Sequence, residues 1–215
     1  MTSNEPLSTK SEILFERFCK EKGISCAPIA CDGKKADYDI DFQGLRIVTE
    51  VKQIDRNESD ISTWKEVRVR AKGLVAAWGN ADHRVRLKIQ EARKQLKVRS
   101  EGKLPTLLVI YDNGTCAGTD GTDIKIAMFG DEKVVLSTVG HQVVNISAIH
   151  AGGNRRFTVD SNTSISAIAL MYGNEPRLNV FHNHFAAIPI GLDRVRMEGV
   201  KHFKLDKAVY DWTQV

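Results

Sequence analysis

The chain has 215 residues, a formal net charge of +4 and four cysteines without a Cys-x-x-Cys pair. This length suits one α/β domain that needs no disulfides, and the cysteine spacing argues against a zinc site. The polar start and the lack of a long apolar run lead us to expect no signal peptide, no membrane partner and a cytoplasmic location with reduced thiols.

The first half of the chain alternates between helical and strand patterns. In chain order, the patterns predict a helix over 8–23, strands over 25–30, 38–42 and 45–54, a helix over 83–98, and a strand over 106–113. Ser8 or Thr9 is the expected cap of the first helix. The pattern over 55–82 predicts either an irregular helical segment or a lid-like loop.

The second half of the chain is richer in strand patterns than in helical ones. We expect a short helix over 123–129, capped by Thr122 or Asp123 and stopped by Gly130, followed by several strands. The expected fold is therefore α/β, with a core over 8–111 in the order α-β-β-β-α-β. The segment 112–215 is expected to be a strand-rich extension of the same domain without an assigned function.

Charged residues interrupt the apolar run of the strand predicted over 45–54. Glu50 and Lys52 are two residues apart, so they share one face of the strand with about 6.6 Å between their Cα atoms. Asp37 begins the hairpin strand expected to pair with this region. A buried carboxylate needs a partner, and two carboxylates suit Mg²⁺, which keeps waters and binds substrate phosphate. The pattern predicts a Mg²⁺ (or Mn²⁺) site with a cation beside it.

This pattern resembles the PD-(D/E)xK signature of restriction-endonuclease-like nucleases: Asp37 is followed by twelve residues and then by Glu50-Val51-Lys52. The likeness covers about residues 8–111, and Ala36 stands where that family usually has proline. It implies a central mixed sheet flanked by helices, and a Mg²⁺-dependent endonuclease that hydrolyses DNA in restriction, repair or phage defence. It also allows a homodimer. The alternative is an inactive module of the same fold that binds DNA or a protein partner.

The resemblance also implies helper residues outside the hairpin. An acidic residue on the first helix often completes the metal site, and Glu12 is preferred over Glu16 here. Gln95, or otherwise Lys88, is the expected helper on the second helix. In the basic stretch 83–99, the expected nucleic-acid contacts are Lys88, Arg84 and Lys94, although such a helix can simply be a solvated face.

Three further features leave alternatives open. Asp39 and Asp41 share a strand face with Asp37, so Asp39 rivals Asp37 as the metal ligand. His182 and His184 would share a face of one strand, where they could bind a transition metal, but ordinary strand histidines are the safer interpretation. The Asp- and Gly-rich segment 112–123 is interpreted as an ordinary loop and not as a calcium site.

Overall fold

A computed structural model describes residues 9–29, 37–69, 81–115, 118–139, 142–147, 149–172 and 177–215. Its centre is an eight-stranded mixed sheet in the order β1-β2-β3-β4-β9-β10-β11-β12. These strands are β1 Ser25–Pro28, β2 Tyr38–Phe42, β3 Leu45–Ile54, β4 Thr106–Asp112, β9 Ala167–Met171, β10 Leu178–His182, β11 Val200–Asp206 and β12 Asp211–Gln214. Four short strands form two separate hairpin-like pairs: β5 Glu132–Lys133 with β8 His150–Ala151, and β6 Leu136–Val139 with β7 Gln142–Ile146.

Helices cover both faces of the sheet. They are α1 Lys10–Glu21, α2 Glu58–Val69, α3 Ala81–Ser100 and α4 Gly121–Phe129, with a 3-10 turn over Leu192–Arg194. β1, β2 and β3 form an antiparallel meander, whereas β4 runs parallel to β3 after the α3 crossover. The predicted α/β class, with a mixed sheet flanked by helices, is therefore confirmed. Among the described residues, no helix has the length and apolar content needed to span a bilayer.

Each face of β3 packs against a different helix, because successive side chains of a strand point to opposite sides. Ile47 and Val51 join the apolar cluster that contains α1. Val48 and Ile54 join the cluster that contains α3 and α4. Glu50 and Lys52 have the parity of Val48 and Ile54, so they lie on the side of the sheet that α3 covers.

The last four strands of the central sheet are added beside β4, a strand that is distant from them in sequence. β9 inserts parallel to β4, and β10, β11 and β12 then complete the edge beyond it. Residues 112–215 thus contribute half of the strands of the central sheet. The short strands β5, β6 and β7, by contrast, are exposed on the surface.

Two local predictions need correction or completion. The helix predicted over 123–129 begins at Gly121, and its cap is Asp120 instead of Thr122 or Asp123, because the Asp120 side chain accepts the N–H groups of both of those residues. The first helix has the expected cap at Thr9. Part of the unassigned stretch 55–82 is helical, namely α2, and residues 70–80 lie outside the described part of the chain.

Replacing Asp120 by alanine is expected to lower the free energy of unfolding by about 1 kcal/mol, the usual cost of losing a helix cap. The Asp120 carboxylate accepts hydrogen bonds from the N–H groups of Thr122 (2.7 Å) and Asp123 (3.1 Å). In return, the Asp123 carboxylate accepts a hydrogen bond from the Asp120 N–H. Urea unfolding of the variant checks the value. An unchanged midpoint would mean that water replaces the cap without loss.

The histidine pair predicted on one strand face is not arranged that way. β10 ends at His182, and His184 lies beyond it, stacked on Phe129 with ring centroids 4.7 Å apart. His182 Nε2 instead meets Nδ1 of buried His202 at 3.0 Å, and His202 Nε2 lies 3.0 Å from the Val195 carbonyl oxygen. Burial, followed by the charge of His202, lowers the pKa of His182 to about 3. The neutral pair links β10 to β11 inside the fold.

Candidate active site

Asp37, Glu50 and Lys52 meet where the β2–β3 hairpin reaches the centre of the sheet. The register pairs Tyr38 with Thr49, which puts Asp37 beside Glu50. The backbone N–H of Asp37 donates to Glu50 Oε2 at 3.2 Å, and Asp37 Oδ2 accepts the N–H of Val51 at 2.7 Å. The Lys52 ammonium contacts Glu50 Oε1 as an ion pair. The structure therefore brings the three hairpin residues of the predicted site together.

Glu50 is fully buried, although its chemistry favours water. Its exposed fraction is 0%, and its Oε1 contacts the Lys52 ammonium as an ion pair. Burial, followed by the negative charge of Asp37, raises the pKa of Glu50 to about 7 even though Lys52 opposes the shift. A buried carboxylate that one lysine only partly compensates is costly, and such sites often have a functional reason.

Asp37 and Lys52 are less buried than Glu50 and form the open side of the site. Burial also raises the pKa of Asp37, although the Val51 N–H and Lys52 partly offset that effect. For Lys52, burial alone would lower the pKa, but Glu50, with Asp37 and Glu91, outweighs it and raises the pKa. Lys52 is therefore a cation at neutral pH, and its side chain retains 21% exposure.

Glu12 approaches this group from α1 but has a structural task as well. Its negative charge contributes to the raised pKa of Asp37. Its Oε2, however, accepts the N–H of Thr9 at 2.5 Å in the capping box of the helix. Glu16 instead accepts the hydroxyl of Tyr38 at 2.8 Å. Glu12 is therefore the acid of α1 whose charge acts on Asp37, and its role as a metal ligand stays a prediction.

Asp39, the rival of Asp37, is held by two arginines. Its Oδ2 accepts Nη2 of Arg46 and Nη2 of Arg99, each at 2.5 Å. Burial alone would raise the pKa of Asp39, but the two guanidinium groups outweigh it and lower the pKa. Asp41 accepts the N–H of Gly44 at 2.8 Å in the hairpin turn. Of the three aspartates on this strand face, the geometry favours Asp37 as the partner of Glu50.

The Asp39→Asn variant is expected to lose about 1–2 kcal/mol of unfolding free energy, because an amide replaces a carboxylate that accepts two charge-assisted hydrogen bonds. The Asp39 side chain is only 16% exposed, so water can replace the lost hydrogen bonds only in part. Because the pKa of Asp39 is lowered in the fold, its contribution is present above the unfolded pKa and is lost as the pH falls through the folded pKa. Unfolding at pH 7 and at pH 3 checks this, and an equal loss at both would contradict it.

The predicted helper residues of α3 differ in their surroundings. Glu91 raises the pKa of Lys52, so its flank of α3 faces the site, and Gln95 follows four residues later on the same flank. Lys88 forms an ion pair with Glu91 at 3.1 Å. Arg84 lies on the same flank, and its Nη1 forms an ion pair with Asp60 of α2 at 2.8 Å. This ion pair links α3 to α2. Sequence reasoning did not assign Glu91 a role, since no motif marks it.

Lys94 lies away from the flank that faces Lys52. It lines a polar groove of ≈340 Å³ with Arg93, Lys97 and the segment 160–164. This groove contains three basic side chains and one carboxylate, that of Asp160. The basic stretch 83–99 therefore divides between two sides of one helix, and Lys94 does not share the side of Lys88 and Arg84.

The two hairpin carboxylates fit a hard divalent ion in chemistry, though they do not form a complete cage. Within the described ranges, no group of three or more His, Cys, Asp or Glu side chains is arranged to hold a metal. Mg²⁺ usually takes one or two carboxylates and completes its shell with water and substrate phosphate. The carboxylates of buried Glu50, now paired with Lys52, and of Asp37 beside it are the donor set that such an ion would use. The Asp112 carboxylate, in the loop considered for calcium, accepts Thr115 and Thr119 hydroxyls instead.

Comparison with known proteins identifies no relative of this chain. No family model matches the chain, and no curated protein or solved structure matches it.

Proposed function

We propose that this protein is a metal-dependent nuclease that hydrolyses phosphodiester bonds in DNA, with a core like that of the PD-(D/E)xK enzymes. The observation that carries the proposal is the convergence of Asp37, Glu50 and Lys52 on one side of the β2–β3 hairpin. Burying Glu50 at 0% exposure beside a second carboxylate is costly: burial and the charge of Asp37 raise the pKa of Glu50, and burial also raises the pKa of Asp37. A bound cation would remove that cost.

Asp37 and Glu50 would hold the ion, and Mg²⁺ or Mn²⁺ in that position would supply an acidified water and offset the charge of the phosphate. Lys52 has its ammonium against Glu50 and part of its side chain open to solvent. Because it is cationic at neutral pH, its role is to stabilise negative charge that develops on the phosphate and to orient the attacking water. Gln95 and Lys88, on the α3 flank that bears Glu91, would contact the DNA backbone.

The order of elements in the first half supports the same proposal. α1 precedes an antiparallel meander, and α3 returns the chain to β4, parallel to β3. This α-β-β-β-α-β arrangement is the one that the resemblance implies, with α2 as an addition between β3 and α3. Glu50 is then presented from within β3 and Asp37 from the residue directly before β2, and a strand is a more rigid support than a loop.

The test is cleavage of supercoiled plasmid and linear DNA by the purified protein with Mg²⁺, with Mn²⁺ and with EDTA. We expect cutting with either ion and none with EDTA. The Glu50→Ala and Lys52→Ala variants, purified in the same way, should not cut. Equal cutting by the parent and both variants would identify a contaminant and remove the support for this site. Gel retardation of DNA without cutting under any condition would favour the binding module instead.

A further inference from the structure

A second cavity, of ≈310 Å³, lies on the α4 side of the sheet, and aromatic rings form much of its wall. Phe129 ends α4, Phe157 follows the short strand β8, and Tyr210 precedes β12. Phe129 and Phe157 are buried with ring centroids 6.4 Å apart. Phe185 is partly open to solvent, and its centroid is 6.3 Å from that of Phe129. The volume falls in the lower range of small-molecule sites, about 300–1,000 Å³.

The charged groups at this cavity are of one sign. Arg155 and Lys207 line it, and no carboxylate does so among the described residues. The Arg155 side chain is held in place because it donates to the carbonyl oxygens of Gly152 (3.0 Å) and Ala151 (2.9 Å). Neither cation forms an ion pair within the part of the chain that the structure describes. Lys207 lies over the ring of Phe185, with its Nζ 5.9 Å from the centroid.

His184 adds a flat ring to the same wall. Its ring stacks on Phe129 with an interplanar angle of 25°, and its centroid is 4.0 Å from that of Phe185. His184 is an exposed residue, but partial desolvation of its ring against the neighbouring side chains, followed by the charge of Lys207, lowers its pKa to about 4. The imidazole is therefore neutral at pH 7 and can stack on a ligand ring without repelling the neighbouring cations.

We propose that this cavity binds a nucleotide unit, with the base against the rings of Phe185 and His184 and the phosphate against Lys207 and Arg155. A purely apolar ligand would leave the two cations unmatched, and inorganic phosphate would leave the aromatic wall unused. A planar heteroaromatic group that carries a phosphate satisfies both parts, since base–aromatic stacking and an unpaired cation are the two elements of nucleotide binding.

The site is separate from the candidate active site, because none of Asp37, Glu50 or Lys52 lines it. The nucleotide unit could be supplied as a free mononucleotide or as one residue of a single strand, since both present the same base and phosphate. The inference does not depend on nuclease activity, and its test can be made in EDTA, where metal-dependent cleavage is silent.

The experiment is calorimetric titration of the full chain in EDTA with AMP, adenosine, inorganic phosphate and a five-nucleotide single-stranded DNA. AMP is expected to bind more tightly than adenosine or phosphate alone. Phe185→Ala should weaken AMP binding by at least about fivefold, and Lys207→Ala by about fivefold with a smaller dependence on salt. Lys204→Ala is the matched control, because Lys204 is an exposed lysine of β11 outside the cavity wall; its affinity should stay within about twofold of the parent.

Competition separates the two sources of the ligand. If AMP and the oligonucleotide compete and AMP binds more tightly, the ligand is a free nucleotide; if the oligonucleotide binds more tightly, it is a unit of a strand. No binding of either would overturn the proposal, as would binding that both variants leave unchanged. Lys207 is exposed, so loss of folding in its variant is not expected, and circular dichroism of each variant verifies this.

Discussion

Replacing Lys52 by methionine is expected to slow DNA cleavage by at least about a hundredfold at saturating metal, because a single preorganised donor at the developing charge is worth that much in rate. Methionine keeps an unbranched side chain of similar length and removes only the cation. DNA affinity, measured by gel retardation in EDTA, should change by less than about threefold, since one phosphate contact at most is lost. A rate loss without an affinity loss is what a group that acts in the transition state produces.

Lys103→Met is the control for this change. Lys103 is 77% exposed and forms a surface ion pair with Glu101 after the end of α3, so its variant should cut at the parent rate. Lys52→Arg keeps the charge and should cut faster than Lys52→Met, though below the parent, because a guanidinium has a different shape. Cleavage by Lys52→Met at the parent rate would remove Lys52 from the proposed chemistry.

A structural role for Lys52 must be separated from a chemical one, because its ammonium is the ion-pair partner of Glu50. Removal of one member of a buried pair destabilises a fold. Melting curves of both Lys52 variants therefore accompany the rates, which are compared at a temperature where every variant is folded. If Lys52→Arg restores stability without restoring the rate, the side chain has a chemical task that a cation alone does not fulfil.

Local sequence patterns were sufficient for the first half of the fold apart from α2, whose stretch they left undecided. Val85, Ile89, Ala92 and Leu96 recur at helical spacing, and all four are fully buried on α3. The short turn at Gly44 makes a hairpin, and a hairpin register brings Asp37 next to Glu50 without any information from the rest of the chain. These features depend on residues close in sequence, which is why the central geometry of the site could be expected.

Features that depend on distant residues could not be read in the same way. Asp39 differs from Asp37 in that two arginines bind its carboxylate. One of them, Arg99, lies sixty residues further along the chain. No local sequence pattern predicts that β9 pairs with β4, since this pairing joins segments that are far apart in sequence. The partner of His182 is His202, on a parallel neighbouring strand, and the pattern of β10 alone suggested His184 instead.

Glu50→Gln is expected to gain stability relative to the parent as the pH rises, by about 3 kcal/mol between pH 4.5 and pH 8 in metal-free buffer. The carboxyl of Glu50 has a pKa near 4.5 in the unfolded chain and about 7 in the fold. Between these values the unfolded chain has released a proton that the folded chain still holds, so the parent loses stability as the pH rises through this window. Glutamine does not titrate, and its variant lacks this loss.

The measurement is the free energy of unfolding in urea for the parent and the Glu50→Gln variant at several pH values, and the quantity that matters is the difference between the two proteins. Thr49→Val is the matched control, because Thr49 is the neighbouring residue of β3, is equally buried and carries no titratable group. Its difference from the parent should stay constant with pH. A constant difference for Glu50→Gln as well would show that Glu50 is already compensated in the fold, and the main electrostatic reason to expect a cation there would be lost.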